Sequence, residues 1–495
     1  MTQWRALFAS AALLAASSPA LSQSGAFRVL HAFENTDGNQ PASLLRASDG
    51  SLYGVTILGG AGGWGALYRI DPAGGFHTVH TFTDQPDGAV PGRLIQARDG
   101  FIYGLTGTGG SPSYGTVYRV DLNGNYSVVH RFNGSTEGIS PISLIQANDG
   151  SFYGTTTDGG TPPAGCSQAR GTLFRMSSEG NVTPLHTFCG EIDGSIPNSV
   201  IQAADGKFYG TCLIDGPRQG GDDRGRGTFW KADASGNTTL LHVFAGNDSP
   251  ATDPTQPLGV VQAADGFFYG AANTGGAFPE SGALFRADDR GNVRLLHSFT
   301  DTAIDGANPE TTMVIGEDGF FYGTASRGGL PVNNANRSGV IYRADTLGNV
   351  WVLHTFTGVD GSHPQDKPAL GRPGFGLFAS ALLGGPGSAG TVGRLDLQQA
   401  TPIASLTFSP NPVVAGQETT ATVTLASPAP STGKFVRVYS QARVEAPATV
   451  FVAPGETSAQ FTVRTRRSSR TQVASIMVAQ GRTGVSAPLI IRGSN

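Results

Sequence analysis

Charge is scarce in this chain. Only 14% of its 495 residues are Asp, Glu, Lys or Arg, against about 25% in an average globular protein. The 33 basic and 37 acidic side chains leave a net charge of −4. Nucleic acid is thereby excluded as a main partner, because such binding rests on neutralising phosphates with clustered Lys and Arg. Methionine is rare as well, with four residues, and cysteine is limited to Cys166, Cys189 and Cys212. No CxxC spacing occurs, so a zinc or redox motif has no footing. Long apolar runs are also lacking. The single run, from Ala6 to about Ala16, follows Arg5 and leads to Ala20-Leu21-Ser22 before Gln23. That order of charge, short apolar stretch and small residues is a signal-peptide pattern over residues 1–22, and it is too short for a membrane span. A secreted or periplasmic protein without a membrane-spanning segment is expected. Such a compartment permits one disulfide and leaves one thiol.

Glycine is what the chain has in excess. Its 71 residues are about twice the usual share of roughly 7%. Many of them recur at fixed places. An Asp-Gly step followed by aromatic-Gly appears as DGSLYGVT at Asp49, DGFIYGLT at Asp99, DGSFYGTT at Asp149, DGKFYGTC at Asp205, DGFFYGAA at Asp265 and DGFFYGTA at Asp318. The intervals are 50, 50, 56, 60 and 53 residues, and a degraded seventh copy reads RPGFGLFAS. A second token ends a strand in His-x-Phe, at His31, His80, His130, His186, His242, His297 and His354. A third runs from GALYRID through GTVYRVD and GTLFRMS to GTVGRLD.

Each unit therefore holds four short strands of period-two character, here lettered A to D, joined by Asp-Gly and Asp-x-x-Gly turns. Four antiparallel strands about every 50 residues make a propeller blade. The phase of the repeat sets the blade number. The first segment after residue 22 is a lone strand D, FRVLHAF, and the last unit stops after strand C, GTVGRLDL. If the first strand completes the last blade, seven blades close with no open edge. The expected fold is all-β: a seven-bladed β-propeller over residues 23–397, closed by its N-terminal strand. Residues 401–495 then read as about seven alternating strands without a Cys–Trp–Cys core, an immunoglobulin-like β-sandwich.

Length variation picks out one face. A–B and C–D turns are short, whereas the D–A and B–C connections vary and carry the insertions, as in DGGTPPAGCSQARG and SRGGLPVNNANRSG. Binding residues concentrate in variable loops on a stable scaffold, so the D–A/B–C face is the candidate working face. Cys166 lies in the B–C loop of blade 3 and Cys189 begins the next D–A loop, which favours Cys166–Cys189 as the disulfide. Every D–A loop also carries an acid four residues before a proline: Asp37, Asp87, Glu137, Asp193, Asp253, Asp305 and Asp360. Seven such acids would ring the mouth and attract a cation such as calcium, but Asp-Gly also supplies turn geometry and caps local N–H groups. No cofactor is otherwise expected. Sevenfold repetition removes both these acids and the His-x-Phe histidines from the catalytic candidates, which must be unique.

Departures from the repeat are more informative. His363 stands where other blades have Gln40, Val90, Ser140, Ile196, Gln256 and Asn308. Trp64, Tyr114, Arg170, Arg218, Arg337 and Lys367 fall on the same rim, with Glu280, Asp222, Asp223, Arg224, Arg226, Arg327 and Asp366. Aromatic rings stack on sugar faces, and Arg, Asp and Asn read hydroxyls or carboxylates.

The units DGSFYGTT, the Gly159-Gly160 step and GTLFRM resemble the bacterial GloVer-type tandem repeat. The resemblance covers roughly residues 27–397 and weakens in the seventh unit. It implies an exported propeller and no particular activity. Two functions fit. One is an extracytoplasmic carbohydrate-binding or interaction propeller, holding a glycan or cell-surface polymer on the D–A/B–C face. The alternative is a polysaccharide-active enzyme at the mouth of the ring. A uronate lyase would use His363 or Tyr114 as base and Arg170, Arg218, Arg337 or Lys367 against the carboxylate, with Trp64 as a stacking surface. A glycoside hydrolase would need two facing carboxylates, for which Glu280 and Asp223 are the candidates. A purely structural envelope protein is the third reading.

Overall fold

The computed structural model describes residues 27–217, 226–245, 253–302, 305–329, 338–371, 376–397, 403–429, 434–440, 444–447, 449–480 and 483–494. The signal-peptide segment lies outside them. Seven antiparallel sheets of the repeat follow one another along the chain. Blade 3 shows the common form, with strands Ile139–Gln146, Phe152–Asp158, Thr172–Met176 and Val182–Thr187 paired in that order. Blade 7 consists of Ala369–Leu370, Leu377–Ala381 and Thr391–Leu395, with Phe27–Ala32 as its fourth strand. Phe27 pairs with Leu395 and Ala32 with Thr391. The chain thus closes its ring by hydrogen bonds between its first and last propeller strands. Among the described residues no helix is long and apolar enough to cross a membrane.

The repeated motif is explained by two contacts. In blades 2 to 6 the tyrosine of strand B donates its hydroxyl to the aspartate of the preceding Asp-Gly turn, as Tyr103 does to Asp99 at 2.8 Å and Tyr269 to Asp265 at 2.7 Å. The glycine after that tyrosine lies under the strand-C aromatic. A Cβ on Gly154 would collide with the Phe174 ring, so the Tyr-Gly step and the aromatic of strand C require one another. Blade 7 reverses the arrangement. Ala379 replaces the glycine, Gly393 replaces the aromatic, and Phe27 from the N-terminal strand covers Gly393. The degraded seventh copy is a compensated exchange.

Apolar cores lie between blades rather than within them. One cluster joins Tyr53, Val55 and Leu67 of blade 1 to Leu94, Ile102 and Tyr118 of blade 2. Another joins Leu44, Leu52 and Tyr68 of blade 1 to Phe33 and Val392 of blade 7. Full burial of each such side chain stabilises by about 1.5–3 kcal/mol. Polar staples tie the same seams. At the A–B face, Gln96, Gln146, Gln202 and Gln262 each accept a backbone N–H from the preceding blade's turn at 2.8 Å.

Strand A is not uniform around the ring. It is interrupted in blade 4, between Ser195–Pro197 and Ile201–Gln202, and in blade 6, between Gly306–Ala307 and Val314–Ile315. In blade 7 it shrinks to Ala369–Leu370. Polar residues absent from the repeat, Asn198, Glu310 and Asp366, occupy these breaks. Where strand A ladders fail, side chains take over: Asn198 Nδ2 donates to the Pro257 carbonyl at 2.8 Å.

The C-terminal strands form two further sheets. Ile403–Ser409, Glu418–Leu425, Ser458–Thr465 and Val444–Glu445 make one. The other contains Val413–Val414, Thr483–Arg492, Gln472–Gln480, Lys434–Ser440 and Thr449–Val452. Leu406, Val423 and Phe461 from the first pack with Val436, Ile476 and Leu489 from the second. Alternation of buried and exposed residues along Glu418–Leu425 is the period-two signature of a half-buried strand.

Every His-x-Phe histidine bonds the acid of the following D–A loop. His31 meets Asp37 at 2.9 Å, His80 Asp87 at 2.7 Å, His130 Glu137 at 3.0 Å and His186 Asp193 at 2.6 Å. The set is completed by His242–Asp253 at 3.1 Å, His297–Asp305 at 3.2 Å and His354–Asp360 at 2.9 Å. Each carboxylate also accepts a loop backbone N–H, as Asp193 does from Cys189 at 2.7 Å. The acids are therefore engaged in turn closure. Burial pulls the Asp87 and Asp360 carboxyls up, but bonds from Thr83 and His80, and from His354 and Thr357, hold both below the usual 3.8. A carboxyl depressed on folding stabilises fully above its unfolded pKa and loses that contribution as pH falls through the lower folded value. Melting temperature should be flat down to about pH 5 and drop steeply below about pH 4. His354→Ala should cost about 1–3 kcal/mol in denaturant titrations at neutral pH, and a cost near zero would remove the pair from the stability account.

Candidate functional site

The D–A and B–C loops meet on one face through a sevenfold backbone bond. The residue before each D–A proline has positive φ: Gln40 61°, Val90 56°, Ser140 56°, Ile196 58°, Gln256 56°, Asn308 51° and His363 54°. Pre-proline residues ordinarily stay extended, and a left-handed non-glycine residue costs about 1–3 kcal/mol. Each of these residues is held by donating its N–H to the last residue of the preceding B–C loop. Val90 bonds the Trp64 carbonyl at 3.2 Å, Ser140 that of Tyr114 at 3.0 Å, Ile196 that of Arg170 at 3.2 Å and His363 that of Ser338 at 2.8 Å. Trp64, Tyr114 and Arg170 are thus one repeated position. Its backbone staples two blades and leaves the side chain free to differ.

Those side chains do different things. The Trp64 ring is 45% exposed. The Tyr114 ring packs on the blade 2–3 core and lies so close to Gly134 that a Cβ there would stand 2.8 Å away. Arg170 is exposed and lines a cavity of about 240 Å³. The B–C loop of blade 3 supplies Ser167 and Gln168 to that cavity, and the next D–A loop supplies Cys189, Glu191 and Ile192. Asp215 and Gly216 come from blade 4. The Cys166–Cys189 disulfide, with Cα atoms 5.8 Å apart, ties two of these walls together. A single helical turn, Gly190–Asp193, follows Cys189. The Ser195 hydroxyl donates to Asp215 Oδ2 at 2.5 Å.

Sequence reading missed Asp215. It occupies the first glycine of the Gly-Gly step, shown by its bridge to Arg226, which matches the Gly159–Arg170 and Gly109–Tyr114 bridges of other blades. A non-glycine there, at φ 60°, is a departure legible from the repeat. Phe278 was missed as well. It stands in the B–C loop of blade 5 and is 47% exposed. Of the seven large apolar side chains exposed on the described propeller, Leu58, Trp64, Ile192, Phe278, Val359 and Leu383 lie at the D–A/B–C face, and only Leu347 sits in a C–D turn.

His363, Tyr114 and Lys367 stand in different settings among the described residues. His363 lies at the inner end of blade 7, with its Nδ1 buried and unpartnered, while Tyr114, from the B–C loop of blade 2, is held against blade 3. Lys367 stands deeper in the channel and shares surroundings with Arg93 and Asp366, not with Arg170. Arg218, Arg337, Asp222, Asp223 and Arg224 lie outside the described residues. Glu280 uses its carbonyl to accept from Asn308 Nδ2 at 2.7 Å. Groups of His, Cys, Asp and Glu able to hold a metal are absent among the described residues.

A family model described as the Gloeobacter/Verrucomicrobia repeat matches residues 20–222 and 216–427. The chain belongs to this repeat family. None of the curated proteins matches it. Among solved structures, it is similar to the extracellular domain of a one-component system protein from B. thetaiotaomicron, at 12% identity and a TM-score of 0.48, covering 96% of this chain and 58% of that one. A gluconolactonase from Xanthomonas campestris gives 13% identity and 0.37, covering 77% of this chain and 99% of that one. A xylan β-1,4-xylosidase from Bacillus halodurans gives 12% and 0.31, over 94% and 90%. At these values no activity passes to this repeat protein.

Cys212 is buried in blade 4, and burial pushes its thiol up well above the ordinary range. A thiol reagent should find no reactive group in the native protein, one after denaturation and three after denaturation with reduction. Any thiol reacting in the native state would contradict the pairing.

Proposed function

We propose that this repeat protein works outside the cytoplasm as a carbohydrate-binding propeller, with the D–A/B–C face as its binding face. The observation that carries this reading is the gathering of exposed apolar side chains on that face. Stranded aromatic rings on a surface of polar loops supply stacking platforms, with charged and amide groups beside them for hydroxyls. The cavity beside Arg170 is the natural subsite, since Gln168, Arg170, Glu191 and Asp215 all border it. Export is supported by the signal-like residues 1–22 and by the disulfide.

A second reading has one observation in its favour. Glu191 and Asp215 line the same cavity, and paired carboxylates are what a glycoside hydrolase needs. In that case the protein would be a polysaccharide-active enzyme with its site on the rim rather than at His363 and Tyr114.

Glycan-array binding followed by calorimetry separates the two. Trp64→Ala and Arg170→Ala should each weaken a bound oligosaccharide about 5–50-fold while leaving the melting temperature unchanged, because both side chains are exposed. Binding without release of reducing ends or of unsaturated product absorbing near 235 nm favours the module. Product formation lost in Asp215→Asn favours the hydrolase. Retention of no glycan by the wild-type protein would overturn the proposal.

A further inference from the structure

The innermost strands are nearly free of charge except in one sector. Two residues after its proline, strand A presents a residue to the next blade. Ser43 Oγ accepts the Leu94 N–H at 3.3 Å, and Ser143 Oγ accepts that of Val200 at 3.2 Å. Gly259 takes this place in blade 5, where a Cβ would come within 2.8 Å of Ser199. Blade 2 has Arg93 at this level, and blade 7 has Asp366 followed by Lys367. The Leu44 N–H lies beside the Asp366 carboxyl, as the Leu94 N–H lies beside Ser43. The carboxyl has taken over a serine's seam.

The three groups do not neutralise one another. Among the described residues, neither the Arg93 nor the Lys367 side chain has an ion-pair or hydrogen-bonding partner. Asp366 Oδ2 is shut off from water and also has none, although its backbone carbonyl accepts from Thr324 at 2.8 Å. Enclosure pulls the Lys367 ammonium down, and the Arg93 cation pulls it further. Two cations close enough to repel, beside a carboxyl whose Oδ2 has no partner, form an electrostatic arrangement that an anion would complete.

We propose that this sector of the central channel binds a small carboxylate ligand, held by the Arg93 guanidinium and the Lys367 ammonium beside the enclosed Asp366 carboxyl. Burial pushes Asp366 up to about 8, against the pull of Lys367, of Arg93 and of the Leu44 and Lys367 backbone N–H groups. At neutral pH the carboxyl is then protonated and does not neutralise the two cations. Above about pH 8 it ionises and repels a bound carboxylate. The titratable groups that face it are Arg93 from blade 2, Lys367 beside it and the buried Tyr68 hydroxyl of blade 1, which burial raises well above its ordinary range. Glu310, on the innermost segment of blade 6, is occupied by Ser326 at 3.0 Å. The site shares no residue with the rim cavity, so it stands whether or not the rim binds glycan.

The test is calorimetric titration of the full chain with glucuronate, using glucose as the neutral control. Glucuronate should bind at pH 7 and glucose should not. Lys367→Met and Arg93→Gln should each weaken binding about tenfold or more. Lys367 is accessible to water within the channel, so its variant keeps the test intact if Arg93→Gln fails to fold. Wild-type affinity should fall about tenfold between pH 7 and pH 9, and Asp366→Asn should show a clearly smaller fall. Trp64→Ala should leave glucuronate affinity unchanged. Equal binding of glucose and glucuronate, loss of glucuronate binding in Trp64→Ala, or the same pH dependence in Asp366→Asn and wild type would overturn the proposal.

Discussion

Seven histidine–carboxylate bonds hold the seven D–A loops against the ends of their strands, and the D–A/B–C face is assembled on them. Each acid fixes a loop by accepting both a ring N–H and a backbone N–H, as at His186, Asp193 and Cys189. The loop then delivers its pre-proline residue, in a left-handed conformation, to the carbonyl of the neighbouring B–C loop. Strain at Val90 or Ile196 persists because the loop is determined from both sides. Three hydrogen bonds per blade therefore convert a ring of sheets into a continuous rim.

Such a rim leaves side chains at the stapling position free to vary, because only their carbonyls are used. Trp64, Tyr114, Arg170, Arg226, Ser281, Ser338 and Ala389 all accept the same bond, yet share no chemistry. That freedom lets one face gather exposed apolar and charged groups without cost to the ring. The channel works differently. Its wall is built from strand A, whose side chains fill the seams between blades, so departures there disturb the ladder. Strand A is shortened in blade 7, where Asp366 enters, and divided in blades 4 and 6, where Asn198 and Glu310 enter.

The seventh blade carries most of the irregularity. It lacks the Asp-Gly-aromatic-Tyr-Gly motif, borrows its outer strand from the N-terminus, and covers Gly393 with Phe27. The glutamine staples that run between blades 1 and 5 are absent there too, since Ile315, Leu370 and Arg46 stand at that position in blades 6, 7 and 1. Closure rests instead on strand pairing and on the shared aromatic core around Phe33, Tyr68 and Phe76.

Repetition made the architecture readable in one dimension. Seven copies of a strand-turn-strand pattern average out local ambiguity, and the phase of the first and last tokens alone implied the closure by Phe27–Ala32. The variable D–A/B–C face was equally legible, because loop length is a sequence property. Partnership was not. His80 and Asp87 were each recognised as structural, but their bond depends on how a strand end and a loop fold back. Tyr114 and Arg170 looked like separate rim candidates, and only backbone geometry shows them to be one position with different side-chain fates. Arg93 passed unnoticed beside Lys367 because nearly three hundred residues of chain separate groups that ring closure brings face to face. Local pattern encodes the strand and the turn, whereas the meeting of distant charges is decided by the closed ring.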